Sequence, residues 1–339
     1  MKEPNAMSFH VKYKPEDFMP ANEEEKQSQV IMRESVGFWQ DGFRRLRKNK
    51  VAMVSLFVII VVMIFSFIVP AFYPYDYKTQ IKGSENLHPM QYSEKEIERM
   101  DAGEKVFPHV LGTDKMGRDY AIRVMMGSRI SLLVGLIATA IIFVIGSLIG
   151  SISAFFGGWV DLIIMRIVDI FNCLPDLPLL LIVGAVLDAL EVPATNRIYF
   201  MMTFLTFFGW TGTARIVRGQ ILSLREQEFM VSATARGLST RRKIFRHLIP
   251  NIMPQLIVTM TLGLGSVILT ESTLSYLNLG VPKPYAAWGS MISEIKDPVI
   301  LQRYFNLWGP PGLCIVLAVL GFNFVGDGLR DAFDPKSRR

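Results

Sequence analysis

The chain has 339 residues, half of them hydrophobic and only 19% charged, with a mean hydropathy of +0.32, which excludes an ordinary soluble domain and points to a membrane protein. The net charge of +6 does not indicate nucleic acid, because the excess cations flank apolar runs, where they orient a chain in a bilayer. Cys173 and Cys314 lie inside apolar runs without metal-type or C-x-x-C spacing, so neither a metal site nor a redox pair is expected.

Residues 1–43 are polar and mixed in charge, with an amphipathic stretch at Phe38, Trp39 and Phe43 expected to lie along the inner headgroups. The first apolar run begins only after this polar segment, so it reads as a retained anchor and not a cleaved leader. A bilayer core about 30 Å thick needs ~20 apolar helical residues, since every backbone polar group must be paired internally. Six stretches meet that need: 51–70, 131–156, 162–187, 198–214, 252–276 and 308–326. The expected fold is therefore all-α and polytopic, with six transmembrane helices.

Lys and Arg set the orientation. Five cations lie in RRLRKNK (44–50), eight between Arg215 and Arg246, and four after Gly326, against one in 188–197 and three in 281–307. Both termini are expected on the cytoplasmic side. The chain then divides into a cytoplasmic segment 1–50, a first span 51–70, an extracellular insertion and elbow 71–130, a transmembrane core 131–330 with a cytoplasmic loop 215–250, and a tail 331–339.

In LGTDKMGRD (111–119), Gly112 and Gly117 permit tight turns, Asp114 can bond the amides after it, and Arg118 can pair with Asp119. This reads as a rigid elbow leading into an amphipathic helix before the second span; ligand contact is the weaker alternative. Gly146 and Gly150 form a small-xxx-small face for close helix packing. Ionisable residues inside spans are costly, hence functional candidates. Arg166 and Asp169, three apart on one helical face, are expected to neutralise one another as a structural ion pair. Asp176, between Pro175 and Pro178, and Glu271 are candidates to line a transport path; the alternative is hydrogen bonding to a neighbouring subunit. Asp327, Arg330 and Asp331 follow the last span at helical spacing and are expected to pin its inner end.

EFMVSATARGLSTRRKIFRHLIPN (228–251) lies between two apolar runs. EFMVSATAR forms a compact helix, Gly237 suits the left-handed position that ends it, and Ser239 or Thr240 can cap a second run, RRKIFRHL, which stops at Pro250. Ser232, Ala233 and Ala235 give a face that another backbone can approach, with Phe229, Val231 and Leu238 as apolar anchors and Arg242 among the exposed cations.

That layout resembles the coupling loop of ABC importer permeases, whose pattern is Glu-Ala-Ala, three residues, Gly, nine residues, then Ile-x-Leu-Pro. Val231-Ser232-Ala233 occupy the triad, Gly237 the glycine and Ile249-Pro250 the end; Val231 replaces the acidic residue and His247 the isoleucine. WQDGFRRLRKNKVAMVSL (39–56), LGTDKMGRDYAIRVMMGSRISLLVG (111–135), ESTLSYLNLGVPKPYAAWG (271–289) and GFNFVGDGLRDAFDPKSRR (321–339) extend the resemblance to the C-type membrane subunit of dipeptide and oligopeptide transporters.

The resemblance implies an importer type I permease fold, with Phe229, Val231, Ser232, Ala233, Gly237, Leu238, Ser239 and Arg242 meeting the ATPase. It implies a B-type permease partner, two cytoplasmic ATPases that hold ATP and Mg, an extracellular or periplasmic binding protein, and a peptide cargo in the multi-pass cytoplasmic membrane of a prokaryote. Nickel chelates or glycans are alternative cargoes. The chain has no Walker A sequence, so it is not expected to bind nucleotide or any cofactor or to act as an enzyme. A secondary transporter relaying protons through Asp169, Asp176 and Glu271 would leave 228–250 unexplained, and neither H-E-x-x-H nor G-x-S-x-G supports an intramembrane enzyme.

Overall fold

The structure, a computed structural model, describes residues 37–281 and 285–333; the rest of the expected N-terminal segment and tail lie outside the described residues. Regular structure among the described residues is helical, apart from two isolated β-bridges.

The first helix, α1 (Phe38–Lys48), carries Asp41 in its first turn and Arg45, Arg47 and Lys48 in its last, charges that complement its dipole. Asn49 ends it and caps α2 (Lys50–Phe67) by accepting from the Ala52 amide at 3.2 Å. The insertion contributes α3 (Glu94–Asp101). A 37-residue helix, α4 (Tyr120–Phe156), follows, capped by Asp119. Next come α5 (Gly158–Cys173), α6 (Asp176–Ala189), α7 (Ala194–Arg225) and α8 (Glu228–Ala235). A helical turn Thr240–Arg242 and a π turn Lys243–Leu248 lead into α9 (Ile249–Tyr276). Short α10 (Trp288–Ile292) and α11 (Pro298–Arg303) precede α12 (Phe305–Phe333).

Among the described residues four helices are long and apolar enough to cross a bilayer: α2, α4, the Thr240–Tyr276 helix and α12. A fifth crossing results if α5 and α6 count as one broken span. The expected continuous span at 162–187 is instead bent by 75° between Cys173 and Asp176, because Pro175 disfavours helical backbone at Leu174, which is extended there at ψ 128°. Residues 198–214 are helical within α7, but Thr, Gly and the following arginines dilute the apolar run, so α7 is not among the four. The amphipathic helix expected before the second span is the first turns of α4 itself, and its Tyr120–Met125 stretch is buried.

Packing of the long helices uses small residues as expected in apolar surroundings, where close approach replaces hydrophobic exclusion. A Cβ added at Gly146 would meet Thr213 and the Trp210 carbonyl; one at Gly150 would meet Ala214 and Val217. These two glycines therefore let α4 lie against α7. At one end of the bundle Phe38, Trp39 and Phe43 pack on the ring of Phe333, with centroids 5.5, 5.3 and 6.3 Å away. The stretch expected along headgroups thus clamps the first helix to the last. Pro250 does not stop the helix before it: the π turn widens the backbone and accommodates a residue that has no N–H to donate.

Candidate functional site

Two polar regions lie at opposite ends of this bundle. At the α1 end, α4, α5 and α7 are tied together by charge. Arg218 donates through Nε and a terminal nitrogen to both oxygens of Asp161 at 2.5 and 2.6 Å, and Ser153 donates to the same carboxylate at 2.5 Å. Arg225 donates to the Ala154 and Phe155 carbonyls at 3.1 and 3.3 Å, satisfying acceptors that the end of α4 leaves open.

From that frame α8 projects and turns back. The Gly237 amide donates to the Thr234 carbonyl at 2.9 Å and the Leu238 amide to Ala233 at 3.2 Å, bonds that close a helix end around a left-handed residue. Gly237 has φ +70°. Ser239 stands at the head of the second run in extended backbone, but neither it nor Thr240 makes the side-chain cap that the spacing predicts. Met230 turns inward onto Ile221, Ile244 and Leu248, and Ala233 is likewise buried. Phe229 packs half-buried on the same cluster.

Ala233 is accordingly not available to a partner, because the helical period places it with Met230 on the core face. The exposed face of the segment comprises Val231 (61% exposed), Ser232, Ala235, Arg236 and Arg242, with Leu238 half-buried at its edge.

At the far end the insertion folds onto the start of α4. Asp114 accepts from the amides of Met116 and Arg118 at 2.8 and 3.1 Å, and its carboxylate meets Arg118 at 2.7 Å and Arg123 at 3.3 Å. Arg118 therefore pairs with Asp114, not with Asp119 as expected. Asp119 is spent elsewhere: one oxygen caps α4 at Ile122 (3.0 Å) and the other faces His109 Nδ1 at 2.7 Å. His109 Nε2 reaches Glu96 at 3.0 Å, and Glu96 also closes a capping box with Ser93 on α3.

Asp114, Arg118, His109, Asp119 and Glu96 are all buried. Gly112 and Gly117 have positive φ and leave no room for a Cβ against the carbonyls of Leu87 and Ile81, so the insertion backbone lies directly on the elbow. Burial pushes the His109 imidazole down, but its bond to Asp119 and the charges of Glu96 and Asp119 outweigh this and hold it above its ordinary value. Burial pushes the Tyr75 hydroxyl, whose ring stacks on His109, up to about 12, so it remains neutral.

Between the two ends, Glu271 is wholly buried by its own chain, accepting from Ser275 at 2.7 Å and Ser272 at 3.3 Å. Enclosed in this way it does not line an open path. Nearby, Trp288 donates its indole N–H to Ser128 at 2.8 Å and its amide to Ser131 at 3.2 Å. Asp176 is exposed at the start of α6, its carboxylate bonded to the adjacent Leu177 amide. Asp169 meets Arg215 of α7 at 2.8 Å, closer than Arg166 at 3.9 Å, so the expected pair is mainly an α5–α7 tie.

Residues 143–339 match the family model of the binding-protein-dependent transport system inner membrane component, and residues 37–89 that of the N-terminal TM domain of oligopeptide transport permease C. The oligopeptide transport system permease protein OppC of Bacillus subtilis is 38% identical over 95% of this chain and 97% of its own length. The dipeptide transport system permease protein DppC of the same organism is 36% identical over 96% and 94%. OppC of Haemophilus influenzae is 33% identical over 90% and 91%.

Proposed function

From the premise that the chain belongs to the family of binding-protein-dependent transport system inner membrane components, we propose that it is the C-type permease subunit of an ATP-driven peptide importer. In this reading α7 and the bent α5–α6 pair complete a six-span type I permease in the cytoplasmic membrane, with both termini inside. The excess of Lys and Arg at the α1 end supports that orientation.

The chain pairs with a B-type permease, receives peptide from an extracellular or periplasmic binding protein, and takes its work from two ATPases that hold ATP and Mg. The observation that carries the proposal is the α8–Gly237–π-turn unit, whose inner face is anchored in the bundle core while Val231, Ser232 and Arg242 face outward. A rigid handle of this kind transmits a push from a docked partner to α7 and α9, the two helices it joins. Two bundle arrangements biased by that push suffice for alternating access.

Gly237→Val tests this. Beyond its chain neighbours no heavy atom lies within 4 Å of where its Cβ would stand, so the substitution acts through backbone strain and not through collision. It is expected to cut both ATPase copurification with the tagged complex and uptake of labelled peptide at least tenfold. Unchanged values for both would overturn the docking assignment.

A further inference from the structure

A cavity of about 240 Å³ opens where α2 ends and the apolar stretch of α4 begins, at the end of the bundle that carries the insertion. Phe67 of α2, Met126 and Arg129 of α4, and Tyr75, Asp76 and Tyr77 of the insertion line it.

Arg129 sets this cavity apart. It is exposed on a helix long and apolar enough to cross the bilayer, and its guanidinium rests over the Phe67 ring, 5.4 Å from the centroid. Among the described residues it makes no hydrogen bond and meets no carboxylate. Arg118, Arg123, Arg197, Arg215 and Arg218 are each met by a carboxylate of this chain. A guanidinium at the edge of hydrocarbon, with all its donors open, calls for an anion from outside the chain.

On the bilayer side of Arg129 the surface is apolar and uncovered. Leu133 and Ile137, four and eight residues on, are exposed, and so are Ile60 and Ile64 on the face of α2 that carries Phe67. On the insertion side stands Asp76. Its Oδ2 accepts from the Lys78 amide at 3.0 Å and the Thr79 hydroxyl at 3.3 Å, which leaves Oδ1 open to a donor. The wall between is already fixed, because the Tyr75 hydroxyl donates to the Phe107 carbonyl and its ring stacks on His109 at 4.5 Å. Little ordering remains to be done when a ligand arrives.

We propose that this cavity binds the headgroup of a bilayer phospholipid that carries both a phosphodiester and a primary ammonium. Arg129 donates to the phosphate oxygens, for which its planar fork is suited, and Asp76 Oδ1 accepts from the ammonium. The acyl chains lie along Leu133, Ile137 and Ile64. A purely anionic headgroup would satisfy Arg129 but set a like charge against Asp76, so the two side chains together select a zwitterion. The site is independent of what the chain transports.

The test uses the purified whole complex, delipidated in detergent, with bound lipid counted by native mass spectrometry. It is titrated with phosphatidylethanolamine, with phosphatidylglycerol, and with glycerophosphoethanolamine, which has the same headgroup and no acyl chains. The unaltered complex is expected to hold phosphatidylethanolamine at least tenfold more tightly than either of the others. Arg129→Gln weakens that binding at least tenfold, and Arg129→Lys, which keeps the charge without the fork, weakens it less. Asp76→Asn removes the preference over phosphatidylglycerol. Arg166→Gln, at an exposed arginine of α5 outside the lining, changes neither.

Equal lipid binding by the parent and Arg129→Gln, or an equal loss in Arg166→Gln, overturns the proposal. So does a parent complex that retains no lipid, which would mean that a companion subunit covers the cavity. Equal affinity for the two lipids overturns the selection of a zwitterion, and a chainless headgroup bound as tightly as the lipid overturns the bilayer as its source. If Arg129→Gln fails to assemble, Arg129→Lys and Asp76→Asn decide on the same readouts.

Discussion

The two polar segments that leave the bundle differ in what they bury. The elbow and insertion, 71–119, bury a charged cluster in which Asp114 pairs with Arg118 and His109 with Asp119 and Glu96, while charges such as Asp76, Glu98 and Lys105 stay at the surface. The segment 228–246 buries Met230, Ala233 and Ile244 and turns its arginines outward. A segment whose polar groups are already matched is structurally finished, whereas one that packs its apolar side and exposes its cations leaves recognition to another molecule. Polarity within a membrane protein therefore has two meanings, and burial separates them.

The contrast breaks most sharply at Asp114. Asp114→Ala removes the carboxylate that faces two buried arginines, and removing one partner of a buried ion pair costs ~3–5 kcal/mol. The expected result is a lower melting temperature in detergent and faster proteolysis within 71–119; an unaltered melt would mean that the knot is not closed.

A smaller loss, about 1–3 kcal/mol, is expected for His109→Gln, which removes hydrogen bonds to two charged groups. Its pH dependence has a definite sign. The folded-state value is raised above 6.5, so the stabilisation is complete below about pH 6.5 and is lost as pH climbs through the raised value. The gap in melting temperature between the parent and His109→Gln should narrow from pH 6 to pH 9; a gap that widens would reverse the assignment.

At the other end the effects on folding are smaller and those on partnership larger. Gly237→Val forces a β-branched residue into the left-handed region, at about 1–2 kcal/mol, while binding of the ATPases collapses. Arg242→Glu sharpens the comparison further: the melting temperature stays where it is, and ATPase association falls in a salt-dependent manner. An equal loss of stability at both ends would erase the distinction drawn above.

The layout of 228–237 was legible in the chain because a glycine after a short helical run has one common use, and φ +70° at Gly237 fulfils it. Which side of α8 faces outward was less legible: Ala233 is as small as a docking residue should be, and only its burial, together with that of Met230, shows that the core takes it. The elbow's turns could be read from Gly112 and Gly117, but the pairing of Arg118 with Asp114 depends on Asp119 being drawn to His109. His109 and Glu96 carry no mark of their roles in sequence, since they are brought together only when the insertion folds. Glu271 was singled out by its cost in a membrane, a signal that cannot tell a lined path from a cage; Ser275, one turn later, was the available clue. The bend after α5 could be anticipated at Pro175, yet a proline breaks a helix without fixing how far the chain turns, and the 75° angle has no mark in the sequence.

The aromatic buckle of Phe38, Trp39 and Phe43 on Phe333 has a consequence for biosynthesis. The helix Phe38–Lys48 finds its resting place on α12 only after about 285 further residues have been made, so three bare rings must wait through most of translation. A chain stopped short of α12 would keep that adhesive surface on display, a ready handle for chaperones and membrane proteases to recognise an unfinished product.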